Sequence, residues 1–197
     1  MNDSDDNLSD ENPEEDEVVV ELREELVKTL NLAQNLDNVD EKQSYLALAK
    51  EIVLYRDPTS DKKLLKEFIG DIYEFQTDRH PKIKRFVIEF LEEVCKVRKD
   101  VIPNVLPSIL FVLNDDNAST VKRALVAVNN LYRPALTLLC DEMFVQNKEE
   151  DAKRVYETLD EFRKKSIDLL GGTHSACQIA SVRVLQTIAL SQLSPDA

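Results

Sequence analysis

Two stretches of this chain, 78–99 and 116–139, carry the same pattern, and that repetition limits the fold more than any other feature. In the first, Ile83, Phe86, Val87, Phe90, Leu91 and Val94 recur at spacings of three and four. In the second, Val121, Leu125, Val128, Tyr132, Ala135 and Leu136 do the same. Such spacing lines up one wide apolar stripe along a helix. Each stripe has the same lead-in: an Asp, then five residues later a β-branched residue followed by Lys. Asp78 precedes Ile83-Lys84 and Asp116 precedes Val121-Lys122, an offset of 38 residues. A self-similar period of about that size predicts stacked helical hairpins.

The rest of the sequence supports an all-α chain. Three glycines in 197 residues and an abundance of Leu, Val, Glu and Lys favour helix. Residues 1–17 hold nine acidic side chains and no Lys or Arg. They carry most of the net charge of −13 and leave the body at −4. Too polar to offset its chain entropy, this segment reads as a disordered acidic tail. The body, 18–197, reads as one helical-repeat domain. No basic footprint dominates, so general nucleic-acid binding is disfavoured. No apolar run approaches the roughly 18 residues needed to cross a bilayer.

Periodicity places eight helices: about 18–36, 41–56 and 61–75, a fourth with Pro81 in its first turn within 78–99, 103–113, a sixth beginning near 118, then 147–170 and 175–193. They pair in order as four hairpins. Pro58 and Pro81 mark turns or helix starts. Pro134, inside the sixth stripe, predicts a kink near Asn130. Gly171-Gly172 reads as a helix stop. In the last helix, Ile179, Val182, Leu185, Ile188 and Ala189 are expected inward. No separate capping helix follows it, so the array reads as part of a longer solenoid or as meeting another surface there.

Catalytic and metal chemistry find little support. His80 and His174 both lie in turns without metal-pair spacing. Cys95, Cys140 and Cys177 read as reduced core thiols. Cys177 stands three residues after His174, but no orienting acid or oxyanion loop accompanies the pair. Neither an enzymatic role nor a cofactor is therefore expected. What remains is surface. Lys82, Lys84 and Arg85, then Lys122 and Arg123, then Arg183, begin successive inner helices and predict a basic ladder. Asn129, Tyr132 and Gln186 are expected to project from the same ridge, where Tyr and Arg are frequent anchors. Val121-Lys122 and Val182-Arg183 are expected at equivalent positions of neighbouring helices.

The run DPTSDKKLLKEFIGDIYEFQTDRHPKIKRFVIEFLEEVCK (57–96) and the run VLPSILFVLNDDNASTVKRALVAVNNLYRPAL (105–136) resemble the N-terminal HEAT-repeat domain of the symplekin (Pta1-type) family. Weaker similarity extends over about 24–195. The resemblance implies a HEAT-repeat α-solenoid, here of about four hairpins where the family has more. It also implies a non-catalytic nuclear scaffold of the pre-mRNA cleavage and polyadenylation machinery. That scaffold docks and modulates the phosphatase acting on the RNA polymerase II C-terminal repeats, beside other 3′-end processing factors. A basic residue at the position resembling Arg183 belongs to the family's docking ridge, with Lys122 on the same ridge one hairpin earlier. Cys177 departs from the pattern, standing where an acid is expected. The alternative is another HEAT or armadillo adaptor, a transport carrier or phosphatase scaffold. Carriers present acidic or aromatic-Asn ladders, whereas this ridge begins with Lys and Arg.

Overall fold

The computed structural model describes residues 13–143 and 149–193. Among the described residues every regular element is helical, so the protein is all-α. The helices are α1 (Pro13–Asn35), α2 (Val39–Glu51), α3 (Lys63–Glu74), α4 (Pro81–Val97), α5 (Ile102–Val112), α6 (Ala118–Thr137), α7 (Glu149–Leu170) and α8 (Ser175–Leu193). Wide π-type turns extend α2 at Ile52–Arg56 and α6 at Leu138–Met143. The chain divides into two compact units, Met1–Gly70 and Asp71–Ala197, where the sequence reads as a single domain after its tail. The division falls inside α3. Of the expected acidic tail, the part from Pro13 onward is helical and forms the start of α1. Residues 1–12 lie outside the described residues.

In the first unit α1 packs on α2. Leu22, Leu26, Leu30 and Ala33 of α1 meet the requirement for a buried stripe, as do Leu46 and Ala49 of α2. Bidentate hydrogen bonds of 2.8 Å from Arg56 to Glu25 tie the end of the second helix back to the first. The turn that follows is organised by Asp57, a buried carboxylate. Its Oδ1 accepts from the Thr59 N–H (2.9 Å) and its Oδ2 from the Leu64 N–H (3.0 Å). Two N–H groups of the turn and of the first turn of α3, otherwise orphaned by helix geometry, are thereby satisfied. Lys62 takes a left-handed φ of 52° in this turn, and its ammonium donates to the Asp57 carbonyl at 2.7 Å.

In the second unit α4, α6 and α8 pack side by side, and α5 and α7 pack on each other against them. α5 lies on α6 and α7 on α8. The repeat seen in the sequence is real but its offset is 37, not 38. His80 and Asn117 occupy the N-cap positions of α4 and α6. Asp78 Oδ1 accepts from the His80 N–H at 2.7 Å, and Asp115 Oδ1, not Asp116, accepts from the Asn117 N–H at 2.8 Å. With this offset Ile83, Val87, Ile88, Phe90, Leu91, Val94 and Cys95 of α4 correspond to Thr120, Ala124, Leu125, Ala127, Val128, Leu131 and Tyr132 of α6. All fourteen are buried. Thus Val121 corresponds to Lys84 rather than to Ile83.

One further expectation, the inward face of α8, changes, and two others gain detail. The helix through Pro134 is unbroken from Ala118 to Thr137; the missing N–H at Pro134 is followed by the wide turn at Leu138–Met143. α7 does end at Leu170, before Gly171-Gly172, yet neither glycine adopts positive φ. Its exposed carbonyl end is met instead by Gln178 of α8, whose amide donates to Leu170 (3.0 Å) and Gly172 (2.8 Å). Finally, α8 turns a different face inward. Cys177, Ala180, Ser181, Val184 and Ile188 are buried, while Ile179 is 59% and Val182 53% exposed and Ala189 is also exposed. Small residues let α8 approach α6 and α7 closely, so its bulkier Ile179 and Val182 face out.

Candidate protein-docking groove

The basic residues Lys84, Arg85, Lys122, Arg123 and Arg183 of α4, α6 and α8 fall into two groups. The first is bonded between α4 and α6. Lys84 lies 2.5 Å from Asp115, the same carboxylate that accepts from the N–H of Asn117, the N-cap of α6, and both side chains are largely buried. Arg85 donates to Ser119 Oγ at 2.6 Å. Arg123, with 18% of its side chain exposed, reaches Glu89 (3.1 Å) and Glu92 (2.8 Å), and the Glu92 side chain is only 6% exposed. Asn130 donates to the other Glu92 oxygen at 2.9 Å, and Lys96 lies 3.3 Å from it. Burial works to raise the Glu92 pKa, but the hydrogen bonds from Arg123 and Asn130 and the nearby cations prevail and hold it below its ordinary value. These bases are structural links between helices.

The second group is Lys122 and Arg183. Both are exposed. Among the described residues neither has an acidic partner within ion-pair distance. Both line a groove of about 330 Å³ between α6 and α8. Val126, Ile179, Ala176 and Ala180 supply its apolar walls, and Asn129 and Asn130 its polar ones. The two cations therefore share one side of the molecule, as expected, but not equivalent positions. Lys122 lies five residues after the Asn117 cap, whereas Arg183 lies nine after His174, whose carbonyl receives the first helical N–H groups of α8. Arg183 is one turn farther along its helix than Lys122 is along its own.

The other expected ridge residues separate. Asn129 is in the groove, with its Oδ1 accepting from Thr187 at 2.7 Å across the two helices. Gln186 is exposed on α8 but does not line the groove. Tyr132 does not project from the ridge. It is buried in the stripe, where desolvation raises its phenol pKa; Arg163 opposes that shift and Asp160 adds to it. The sequence reading of Tyr132 as both stripe and ridge resolves in favour of the stripe. Missed altogether were Asn130, Val126 and Ile179. A doubled Asn on a helix face was a signal for the first. For Val126 and Ile179 the signal was masked, since apolar residues read as core.

Cys177 closes one end of the α6–α8 contact. Its thiol donates to the Ala118 carbonyl at 3.3 Å. Burial pushes its pKa up, against a smaller lowering from Lys122, so the thiol stays protonated. A comparison of the chain with models of known protein families finds no match.

Proposed function

We propose that this protein is a helical-repeat scaffold that docks a protein partner along the groove between α6 and α8. The resemblance to the symplekin family supplies the finer part of this reading. On this reading the second unit is a stack of HEAT-type hairpins, with α4, α6 and α8 as inner helices and α5 and α7 as outer ones. Its role is non-catalytic, in the nuclear cleavage and polyadenylation machinery, and its partner is the phosphatase of the polymerase II C-terminal repeats. One observation carries the reading: the two residues that the resemblance assigns to the docking ridge, Lys122 and Arg183, line the same groove and are exposed. Their neighbours Lys84 and Arg123 are consumed by contacts inside the fold.

A guanidinium on such a wall can make a forked contact with a carboxylate, and reversing its charge leaves repulsion in its place. Titration of the purified phosphatase onto immobilised protein tests the reading. Arg183→Glu should abolish measurable binding while leaving helicity and the melting midpoint unchanged. Lys164→Glu should bind as the parent does, because Lys164 lies on α7, engaged with Glu161 and Asp160. A second reading, a helical-repeat adaptor of another class, is favoured by the Asn129–Asn130 pair on an inner helix. Absence of phosphatase binding by the parent protein would select it.

A further inference from the structure

The groove between α6 and α8 carries more than two charges. Its polar wall is a chain of oriented amides. Thr187 Oγ donates to Asn129 Oδ1 at 2.7 Å, Asn129 Nδ2 donates to Asn130 Oδ1 at 3.4 Å, and Asn130 Nδ2 donates to Glu92 Oε1 at 2.9 Å. Each bond fixes one atom of an amide and leaves the rest of it for another partner. Asn129 and Asn130 each keep a second N–H, and each carbonyl oxygen keeps a lone pair. Both line the groove, and the donors and acceptors they leave over are the groups an extended main chain pairs with. A partner helix, whose N–H groups are taken up internally, could meet them only through side chains or second carbonyl lone pairs, whereas an extended segment offers free N–H and C=O groups.

We infer that the groove holds an extended, acidic segment of a partner protein, with its main chain against Asn129 and Asn130, a carboxylate at Lys122 and Arg183, and an apolar side chain between Val126 and Ile179. This rests on the docking reading of the groove and adds the conformation and charge of what is docked. Charge complementarity selects the acid. Lys122 and Arg183 stand unengaged within the described residues of a protein whose net charge is −13, and no acidic residue lines the groove. The exposed Val126 and Ile179 select the apolar side chain. Glu92, reaching through from the α4 side, is a positioning residue for the Asn130 amide. The arrangement is main-chain recognition for affinity with side-chain pockets for specificity, here using side-chain amides where a sheet edge would use backbone.

The test is fluorescence anisotropy on the intact protein with labelled peptides. The probe alternates Glu with Val, a sequence that favours the extended state. Three comparison peptides are needed: the same sequence N-methylated on its Val residues, a Lys/Val counterpart, and a helix-forming peptide of Glu, Ala and Leu. The Glu/Val probe should bind, N-methylation should weaken it on the order of tenfold for a lost pair of hydrogen bonds, and the Lys/Val and helical peptides should not compete. Asn129→Ala should weaken the probe by several-fold; it also removes the Thr187 contact and should lower the melting midpoint by roughly 2–4 °C, so binding is read at a temperature where the variant is folded. Equal binding of the N-methylated or helical peptide would overturn the inference, as would indifference to Asn129→Ala. Its failure is distinguishable from failure of the docking reading. Phosphatase binding lost in Arg183→Glu, together with no preference for the Glu/Val probe, would leave the docking surface standing and remove the extended segment. Loss of the probe without loss of phosphatase binding in Arg183→Glu would do the reverse.

Discussion

The two seams that α6 makes, with α4 on one side and with α8 on the other, use the same residue types for opposite ends. Toward α4, bases and acids close on each other: Arg123 with Glu89 and Glu92, Lys84 with Asp115. Toward α8 the bases Lys122 and Arg183 find no acid in the groove, and the helices meet through small residues and single hydrogen bonds such as Thr187 to Asn129. A basic ladder read from sequence is therefore two things in space. Where α4 supplies Glu89 and Glu92, the base becomes an internal link. Where α8 supplies Ile179, Ala180 and Arg183 instead, the base stays available. The identity of the neighbouring helix, not of the base itself, decides whether the base becomes an internal link or stays unpaired within the groove.

The largest expected effect comes from breaking the first seam. Arg123→Ala leaves Glu92 buried without its main partner and should cost about 3 kcal/mol, seen as a lower urea midpoint at constant slope. If the midpoint does not move, the seam is not a link and the contrast collapses. The same variant gives a pH signature. The folded-state pKa of Glu92 is depressed, so its contribution is present above the unfolded carboxylate range and is lost as pH falls through the folded value. The deficit of Arg123→Ala should thus be full near neutrality and shrink below about pH 4, where a protonated Glu92 no longer needs the guanidinium. A constant deficit across that window would place the lost stability elsewhere.

Next in size is Asp115→Ala. It removes both the Asn117 N–H contact and the Lys84 partner, for a loss of about 1–2 kcal/mol. Asp116→Ala should cost far less. An equal cost for the two would restore the 38-residue register. Smallest are Lys122→Ala and Arg183→Ala, each within about 0.5 kcal/mol of the parent in unfolding free energy. A larger loss from either would mean that the second seam uses its bases structurally after all.

Much of the fold was legible, because strong amphipathic patterns leave few choices. Ile83, Val87, Phe90, Leu91 and Val94 of the first stripe, and Val121, Leu125, Val128, Tyr132 and Ala135 of the second, are buried as expected. The register failed by one residue because Asp115 and Asp116 are adjacent and chemically identical. Only the hydrogen bond to Asn117 distinguishes them. α8 failed because it carries apolar residues all round: Ile179, Val182, Val184, Leu185 and Ile188 offer no single stripe. Its packed face is set by Ala180 and Ser181, whose small size counts more than their hydropathy. At the candidate site, Lys122, Asn129 and Arg183 were readable as polar residues beside the apolar stripes of their helices. The groove itself was not, since it depends on which face α8 turns to α6. Pairing of Arg123 with acids some thirty residues earlier was likewise hidden, because no local spacing encodes it.

The central claim is that the second seam is a docking surface while the first is not. Its most direct measurement is a phosphatase titration run in parallel on the parent, Arg183→Glu and Arg123→Ala, each checked for helicity and used at a temperature where all three are folded. The account expects binding by the parent and by Arg123→Ala, and none by Arg183→Glu. Undiminished binding by Arg183→Glu would contradict it, as would equal loss in the two folded variants.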